Sequence, residues 1–388
     1  MPSYTVKTGA LSYSTSPNCQ RKLARTSNGD LHAVYFRLSG SYEQIYYAKS
    51  TDGGQTWTET ALTSGNYYQL EPSIAVDSND YIHITWYGYH SGSTGYTQIR
   101  YRKYTTSWQT IENLTSGNYD QFSPFIAIDS NNYIHISWYG VYSGSTSYTQ
   151  IRYRKYTTSW QTIENLTSGN YNQDYPSIAI DSNDYIHITW EGYHSGSATY
   201  YQIRYIKYTT SWQTIENLTS GNYYQFSPSI AIDSNDYIHI SWYGKHSGSA
   251  TYYQLRYVKY TTSWQTIENL TSENYRQYSP SIAIDGNNYV HISWYGRHSG
   301  STGYEQIRYI KYTTSWQTIE NLTSGSVDQY YPSLIWSLYP TISGLKTNRV
   351  KNGYAFVWCD NTTIKIYLSS DLEWDTISAI AWNPNIII

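Results

Sequence analysis

One unit of 52 residues recurs along this chain, and that recurrence limits its possible folds more than any other feature. Trp108, Trp160, Trp212, Trp264 and Trp316 are each 52 apart. The same interval separates Trp86, Trp138, Trp190, Trp242 and Trp294, and Asp77, Asp129, Asp181, Asp233 and Asp285. Pro72 starts a fourth series that runs to Pro332. Degenerate copies flank the five clear ones. Asn28-Gly29-Asp30-Leu31-His32 aligns with Asn79-Asp80-Tyr81-Ile82-His83, and Trp57 aligns with Trp108. Gly353-Tyr354-Ala355-Phe356-Val357-Trp358 repeats the pattern at the far end, and Trp374 closes that copy, so the copies number seven.

Each unit holds four runs of strand composition. In the first clear copy they are Ser73 to Asp77, Tyr81 to Tyr87, Gln98 to Tyr104 and Trp108 to Leu114. Asp-Ser-Asn-Asp and Thr-Thr-Ser fill turns between them. No stretch keeps a 3.6-residue period. Four antiparallel strands per unit predict an all-β chain: a seven-bladed β-propeller of four-stranded blades with a ~52-residue repeat. A β-solenoid is the alternative, but its repeats are usually much shorter. The propeller uses residues 1–388 as a single domain, with blades near 18–65, 66–117, 118–169, 170–221, 222–273, 274–325 and 326–380.

Composition agrees. The chain has 49 Tyr, 15 Trp and 5 Phe, with 14% charged residues. Its core must therefore use Tyr and Trp, which excludes a Leu/Ala helical bundle. Tyr, Ser, Asn and Gly richness alone would suggest low complexity, but the fixed period argues for folded blades. No apolar run reaches the length of a membrane-spanning helix. A net charge of −3 offers no footprint for nucleic acid.

Ser50-Thr51-Asp52-Gly53-Gly54-Gln55-Thr56-Trp57 fits S-x-D-x-G-x-T-W. This resembles the Asp-box (BNR repeat) of sialidase-like propellers, with Ser50, Asp52, Gly54, Thr56 and Trp57 as its structural residues. Ser369-Ser370-Asp371-Leu372-Glu373-Trp374 is a shortened second copy. The resemblance implies a hairpin between the third and fourth strands, on the face opposite the ligand site. It also raises the catalytic pattern of sialidases: three arginines on a carboxylate, a Tyr–Glu pair and an Asp. An arginine is expected before the inner-strand proline, where this chain has Phe122-Ser123-Pro124 and its equivalents. Only Arg21-Lys22-Leu23 in the first blade is basic there. Near-identical blades also repeat residues around a ring, whereas catalysis needs different residues at one point. A non-catalytic member is the reading, with no cofactor and no metal.

The other repeated polar residues have structural readings. If Thr105-Thr106-Ser107 is the turn, Arg100 faces Glu112 across two strands, as an ion pair worth ~0.2–1 kcal/mol. Mid-strand histidines such as His83 and His135 read as buried and hydrogen-bonded, and Asp-Ser-Asn-Asp as an Asx turn.

Between copies, two turns hardly vary and two loops do. One variable loop follows the fourth strand, where Tyr68 and Asp174 mark changing positions. The other follows the second strand. It varies through Tyr89-His90, Val141-Tyr142, Tyr193-His194, Lys245-His246 and Arg297-His298, after Tyr87, Tyr139, Glu191, Tyr243 and Tyr295. Both loops emerge on one face, and loops drift in general, but drift alone does not explain a single drifting face. Aromatic faces stack on sugars, and amides and carboxylates bond hydroxyls. The candidate ligand residues are therefore Tyr68, Tyr87, Tyr89, His90, Tyr139, Tyr142, Asp174, Glu191, His194, Tyr243, His246, Tyr295 and His298. The expected partner is a glycan bound at several weak sites or a surface protein, since such surfaces also bind proteins. A sialidase-like hydrolase is the remaining class.

Asn113, Asn165, Asn217, Asn269 and Asn321 begin N-Leu-Thr sequons, and Asn361 begins another. They are either glycan acceptors or one sequon copied by duplication. Residues 1–7 hold no apolar core of a secretory signal. Composition and fold point to an extracellular or surface location. Cys19 and Cys359 fall in the first and last blades, and a disulfide between them would lock the ring. Tyr4–Thr8 or Trp374–Ile377 supplies the outer strand of the last blade.

Overall fold

A computed structural model describes residues 3–17, 21–338, 352–360 and 363–368. Its strands form seven four-stranded antiparallel sheets. Blade 2 is representative, with strands Gln69–Val76, Ile82–His90, Ser93–Tyr104 and Glu112–Asn113 joined in sequence order. Blades 3 to 6 repeat it. Blade 1 runs from Leu23 to Ala61. Blade 7 takes Gln329–Leu338, Asn352–Asp360 and Thr363–Leu368, then borrows Ser3–Thr8 as its outer strand. The N-terminal segment therefore closes the ring. Trp374–Ile377, Cys19, Asn361 and the shortened 369–374 motif lie outside the described residues.

The core lies between blades. Ile99, Tyr101 and Leu114 of blade 2 pack with Ile134, Ile136 and Trp138 of blade 3. Leu31, Ala33 and Tyr35 of blade 1 pack with Val357, Ile364 and Ile366 of blade 7. Trp86, Trp138, Trp190, Trp242 and Trp294 are completely buried. Each buried indole N–H needs an acceptor, and the Nε1 of Trp86 donates to Gln69 Oε1 at 2.7 Å. Gly88 is required beside it, because a Cβ there would stand 2.6 Å from Gln69 Oε1.

The mid-strand histidines are buried and hydrogen-bonded, as the sequence predicts. His83 Nε2 lies 3.1 Å from Asp77 Oδ2, and Nδ1 lies 2.7 Å from the Tyr101 hydroxyl. Asp77 Oδ1 accepts the N–H groups of Asn79 and Tyr81, which closes the Asx turn. The same turns join neighbouring blades. Ser130 N and Oγ donate to Asp184 at 2.9 and 2.7 Å, and Ser182 makes the same pair with Asp236.

Two expectations need correction. The register pairs Arg100 with Asn113 and Tyr101 with Glu112, so there is no Arg100–Glu112 pair. Tyr104 still bridges Trp108 across the turn. One extra residue between Trp108 and Glu112 then slips the register. Arg100 Nε donates to Asn113 Oδ1 at 3.0 Å, while Glu112 Oε2 instead accepts the next blade's Trp160 Nε1 at 2.9 Å. Second, Tyr89-His90 is not in a loop. The second strand runs to His90, which pairs with Ser93 around a two-residue turn.

Burial lowers the pKa of His83, His135, His187 and His239, and takes His32 to about 4. A depressed histidine contributes stability that is present above its unfolded pKa near 6.5 and lost as pH falls. The unfolding free energy of His239→Gln should therefore fall less between pH 7 and pH 5 than that of the parent. Equal slopes in denaturant titrations would remove the histidine from this account.

Candidate ligand-binding face

Antiparallel connections put the second-to-third hairpin and the fourth-to-first connection of each blade on one face. Around the axis of that face, the inner strand is bulged in every blade from 2 to 7. The register skips between Leu70 and Ser73, and again at each equivalent. The residue before each inner-strand proline has positive φ: Glu71 (51°), Ser123 (46°), Tyr175 (50°), Ser227 (48°), Ser279 (47°) and Tyr331 (51°). A non-glycine residue before proline ordinarily stays extended. Holding it left-handed costs about 1–3 kcal/mol, and such residues cluster at binding and catalytic sites. Bulges also re-aim side chains.

These residues meet the second-strand series. Tyr139 packs 5.2 Å from Tyr175 and 5.4 Å from Phe122, and Tyr295 packs 5.2 Å from Tyr331. Tyr243 touches Phe226 and Tyr278, and Tyr87 meets Phe122 edge-on. Burial raises the hydroxyl pKa of Tyr87, Tyr139, Tyr243 and Tyr295, so these rings are neutral donors. Lys22 is fully buried, and its Nζ donates to Pro72 O at 2.5 Å. Its charge acts on Glu71, whose carboxyl is raised by burial and bonded by Ser123 Oγ. Below this basin the inner strands form an axial cavity of about 390 Å³, lined by aliphatic residues and by Arg21 and Arg25.

Blade 4 departs from the pattern. Asp174 and Glu191 are register partners, 9% and 4% exposed. Asp174 accepts from Thr149 Oγ1 at 2.5 Å and Tyr201 OH at 2.8 Å, and Glu191 Oε2 accepts Ser227 N at 2.5 Å. Burial raises both carboxyls, Glu191 well above the usual range, and the negative field of Asp174 adds to it.

The predicted residues thus divide into two groups. Tyr87, Tyr139, Asp174, Glu191, Tyr243 and Tyr295 surround the central basin. His90, Tyr142, His194, His246 and His298 lie farther out, at the second-to-third hairpins. There Arg100 lowers the pKa of His90, after burial, and Arg152 lies 5.5 Å over the Tyr142 ring. Tyr68 is 42% exposed and packs edge-on with Tyr42, while Tyr89 gives its carbonyl to Gln69 Nε2.

Sequence reading missed the residues before proline, although Glu71, Tyr175 and Tyr331 already break a serine pattern. It also missed Tyr96, Tyr148 and Tyr304, at one position of blades 2, 3 and 6, which are 39%, 37% and 41% exposed. Their 52-residue spacing was the available signal.

The opposite face holds the Ser50–Trp57 turn. Asp52 Oδ1 accepts Gln55 N and Thr56 N at 3.0 and 2.9 Å, and Trp57 Nε1 donates to Gly54 O at 2.9 Å. Each residue of the Asn113 sequon has a packing partner. Asn113 holds Arg100, Leu114 is buried, and Thr115 Oγ1 donates to Gln98 Oε1 at 2.8 Å.

No family model matches the chain, and no curated protein matches it. Solved structures do resemble it. An ulvan lyase, described as a new polysaccharide lyase family PL25, superposes with a TM-score of 0.60 at 12% identity, covering 95% of this chain and 96% of its own. The BP39L lectin from Burkholderia pseudomallei gives 0.59 at 8% identity, over 92% and 99%. An α-L-arabinofuranosidase of Fusarium graminearum gives 0.52 at 12%, over 83% and 98%. At such identities the likeness shows the fold alone, and fold does not choose among a lyase, a lectin and a hydrolase.

Glu191→Gln tests the buried acid pair. A raised carboxyl contributes stability below its unfolded pKa and loses it as pH climbs. The variant should melt about 2 °C or more above the parent at pH 8, with a smaller gain at pH 5. A pH-independent difference would contradict the raised pKa.

Proposed function

We propose that this propeller binds carbohydrate on the face that carries its bulged inner strands, through equivalent weak sites spaced around the ring. The observation that carries this reading is the exposed rim tyrosine that recurs in blades 2, 3 and 6, Tyr96, Tyr148 and Tyr304. Singly exposed aromatics are ordinary, but the same ring exposed at the same place in blades 2, 3 and 6, with the half-buried Tyr200 and Tyr252 at that place in blades 4 and 5, supplies a stacking platform of fixed spacing. Half-buried tyrosine hydroxyls and the Asp174 and Glu191 carboxyls add polar partners towards the axis. Several weak sites on one rigid ring gain avidity on a repeated ligand. Carbohydrate-active neighbours of the same fold are consistent with this, as is an extracellular or surface location. The Ser50–Trp57 turn, on the opposite face, is read as a structural Asp-box that shapes a hairpin.

A second reading is favoured by blade 4. Asp174 and Glu191 form a buried acid pair with raised pKa, and such pairs cluster at catalytic sites. Together with Glu71 and Lys22 they would serve cleavage of a bound saccharide at the axis.

One set of measurements addresses both. A glycan array with polysaccharide titrations should show binding, and the Tyr96→Ala/Tyr148→Ala/Tyr304→Ala variant should lose at least about tenfold in apparent affinity with its melting curve unchanged. Absence of binding across the array, or an unaffected triple variant, would end the binding proposal. Cleavage of any bound polysaccharide that Glu191→Gln abolishes would establish the second reading.

A further inference from the structure

Five blades carry the same arginine on the third strand: Arg100, Arg152, Arg204, Arg256 and Arg308. Three contacts are common to all. Nε donates to the outer-strand asparagine at 2.9–3.0 Å. Nη1 donates to the inner-strand glutamine at 2.8–3.0 Å. The guanidinium lies 5.6–5.8 Å over the buried tryptophan ring.

In blade 3 the Tyr142 ring, which takes the place of the hairpin histidine, also lies 5.5 Å from the Arg152 guanidinium, but only blade 6 adds a carboxylate. Arg308 Nη1 and Nη2 take both oxygens of Glu273, at 2.8 and 2.9 Å, in the paired geometry that suits arginine and carboxylate. Arg308 is then 3% exposed. In the other four blades Glu273 is replaced by Gly65, Gly117, Gly169 and Gly221, and the space above each glycine is open. The backbone position is equivalent. Gln254 Nε2 holds the Glu273 carbonyl at 2.8 Å, just as Gln98 holds that of Gly117 at 3.1 Å and Gln202 that of Gly221 at 3.2 Å. Nη2 of Arg100, Arg152, Arg204 and Arg256 makes no hydrogen bond among the described residues, and each of the four side chains is half-buried. Burial without a carboxylate lowers each of their pKa values to about 10.

A second donor sits nearby. His90, His194 and His246 each accept a glycine N–H at Nδ1, which leaves the proton on Nε2. Those Nε2 atoms are buried with no partner among the described residues. His298 Nε2 in blade 6 is in the same state, so Glu273 satisfies the guanidinium alone.

We propose that the open guanidinium edges of Arg100, Arg152, Arg204 and Arg256 are four carboxylate subsites, each taking one uronate residue of an acidic polysaccharide. Glu273 fills the fifth subsite from within the chain. The assignment rests on the carbohydrate reading and names its ligand class. Four subsites built on the same arginine, one per blade, match a ligand that repeats a single charged group, as a polyuronate does and a folded protein surface does not.

The test is equilibrium dialysis with trigalacturonate, with maltotriose as the neutral control. The parent chain should bind four trigalacturonates. Glu273→Gly, which restores the residue of the other blades, should bind five. Arg204→Gln should bind three, and its thermal melt reports whether it folds. An unchanged count in Glu273→Gly overturns the proposal whether or not Arg204→Gln folds. Binding of neutral glycans without trigalacturonate would sink the uronate assignment and leave the carbohydrate reading standing, whereas binding of neither would sink both. A poly-glutamate peptide that bound as tightly and with the same count would replace the saccharide with an acidic peptide.

Discussion

In six of the seven blades the structure depends on one buried carboxamide. Gln69 Oε1 accepts both the Trp86 indole and the Arg100 guanidinium, while Gln69 Nε2 donates to Tyr89 O. A single side chain thereby ties the inner strand to the second and third strands. Blades 3 to 6 repeat the node, and in blade 7 Trp358 donates to Gln329. Without it, a fully buried indole N–H would lose its acceptor, at a cost of about 1–3 kcal/mol per blade. The node also aims the arginine, so packing and candidate ligand chemistry share one anchor.

The contrast between a constant face and a variable one also has a physical cause. The constant turns are staples between blades. Ser130 and Ser182 reach the Asx turns of the next blade, and Trp160 reaches Glu112 of the previous one. A change there breaks a contact that must fit its neighbour. The one-sided drift is thus partly explained by what holds the other side still. The proposed ligand chemistry of the variable face rests on its bulges, its rim tyrosines and its uncapped arginines.

Much of the fold was legible in the chain. The tryptophan interval, the alternating Ile82, Ile84 and Trp86, and the Asx turns each arise from contacts within one repeat. The register of the outer strand was not legible, because a single extra residue after Trp108 exchanges Glu112 for Asn113 opposite Arg100. The residues before proline were passed over because proline ordinarily forces an extended predecessor. Glu71 and Tyr175 are held otherwise by bulges set by pairing across strands. Among the candidate site residues, the tyrosines and histidines were visible as variable positions, but their separation into an axial group and a hairpin group was not.

By itself, then, the sequence determined the blade: its four strands, its turns, its aromatic core and the number of copies. These follow from residue patterns within about 52 positions. The tertiary structure alone decided how the ring closes, with Ser3–Thr8 completing blade 7, and which residues converge. Lys22 meets Glu71, and Arg308 meets Glu273, because neighbouring blades turn about a common axis and bring distant positions together. That rotation comes from packing between sheets, and no local pattern in the chain records it.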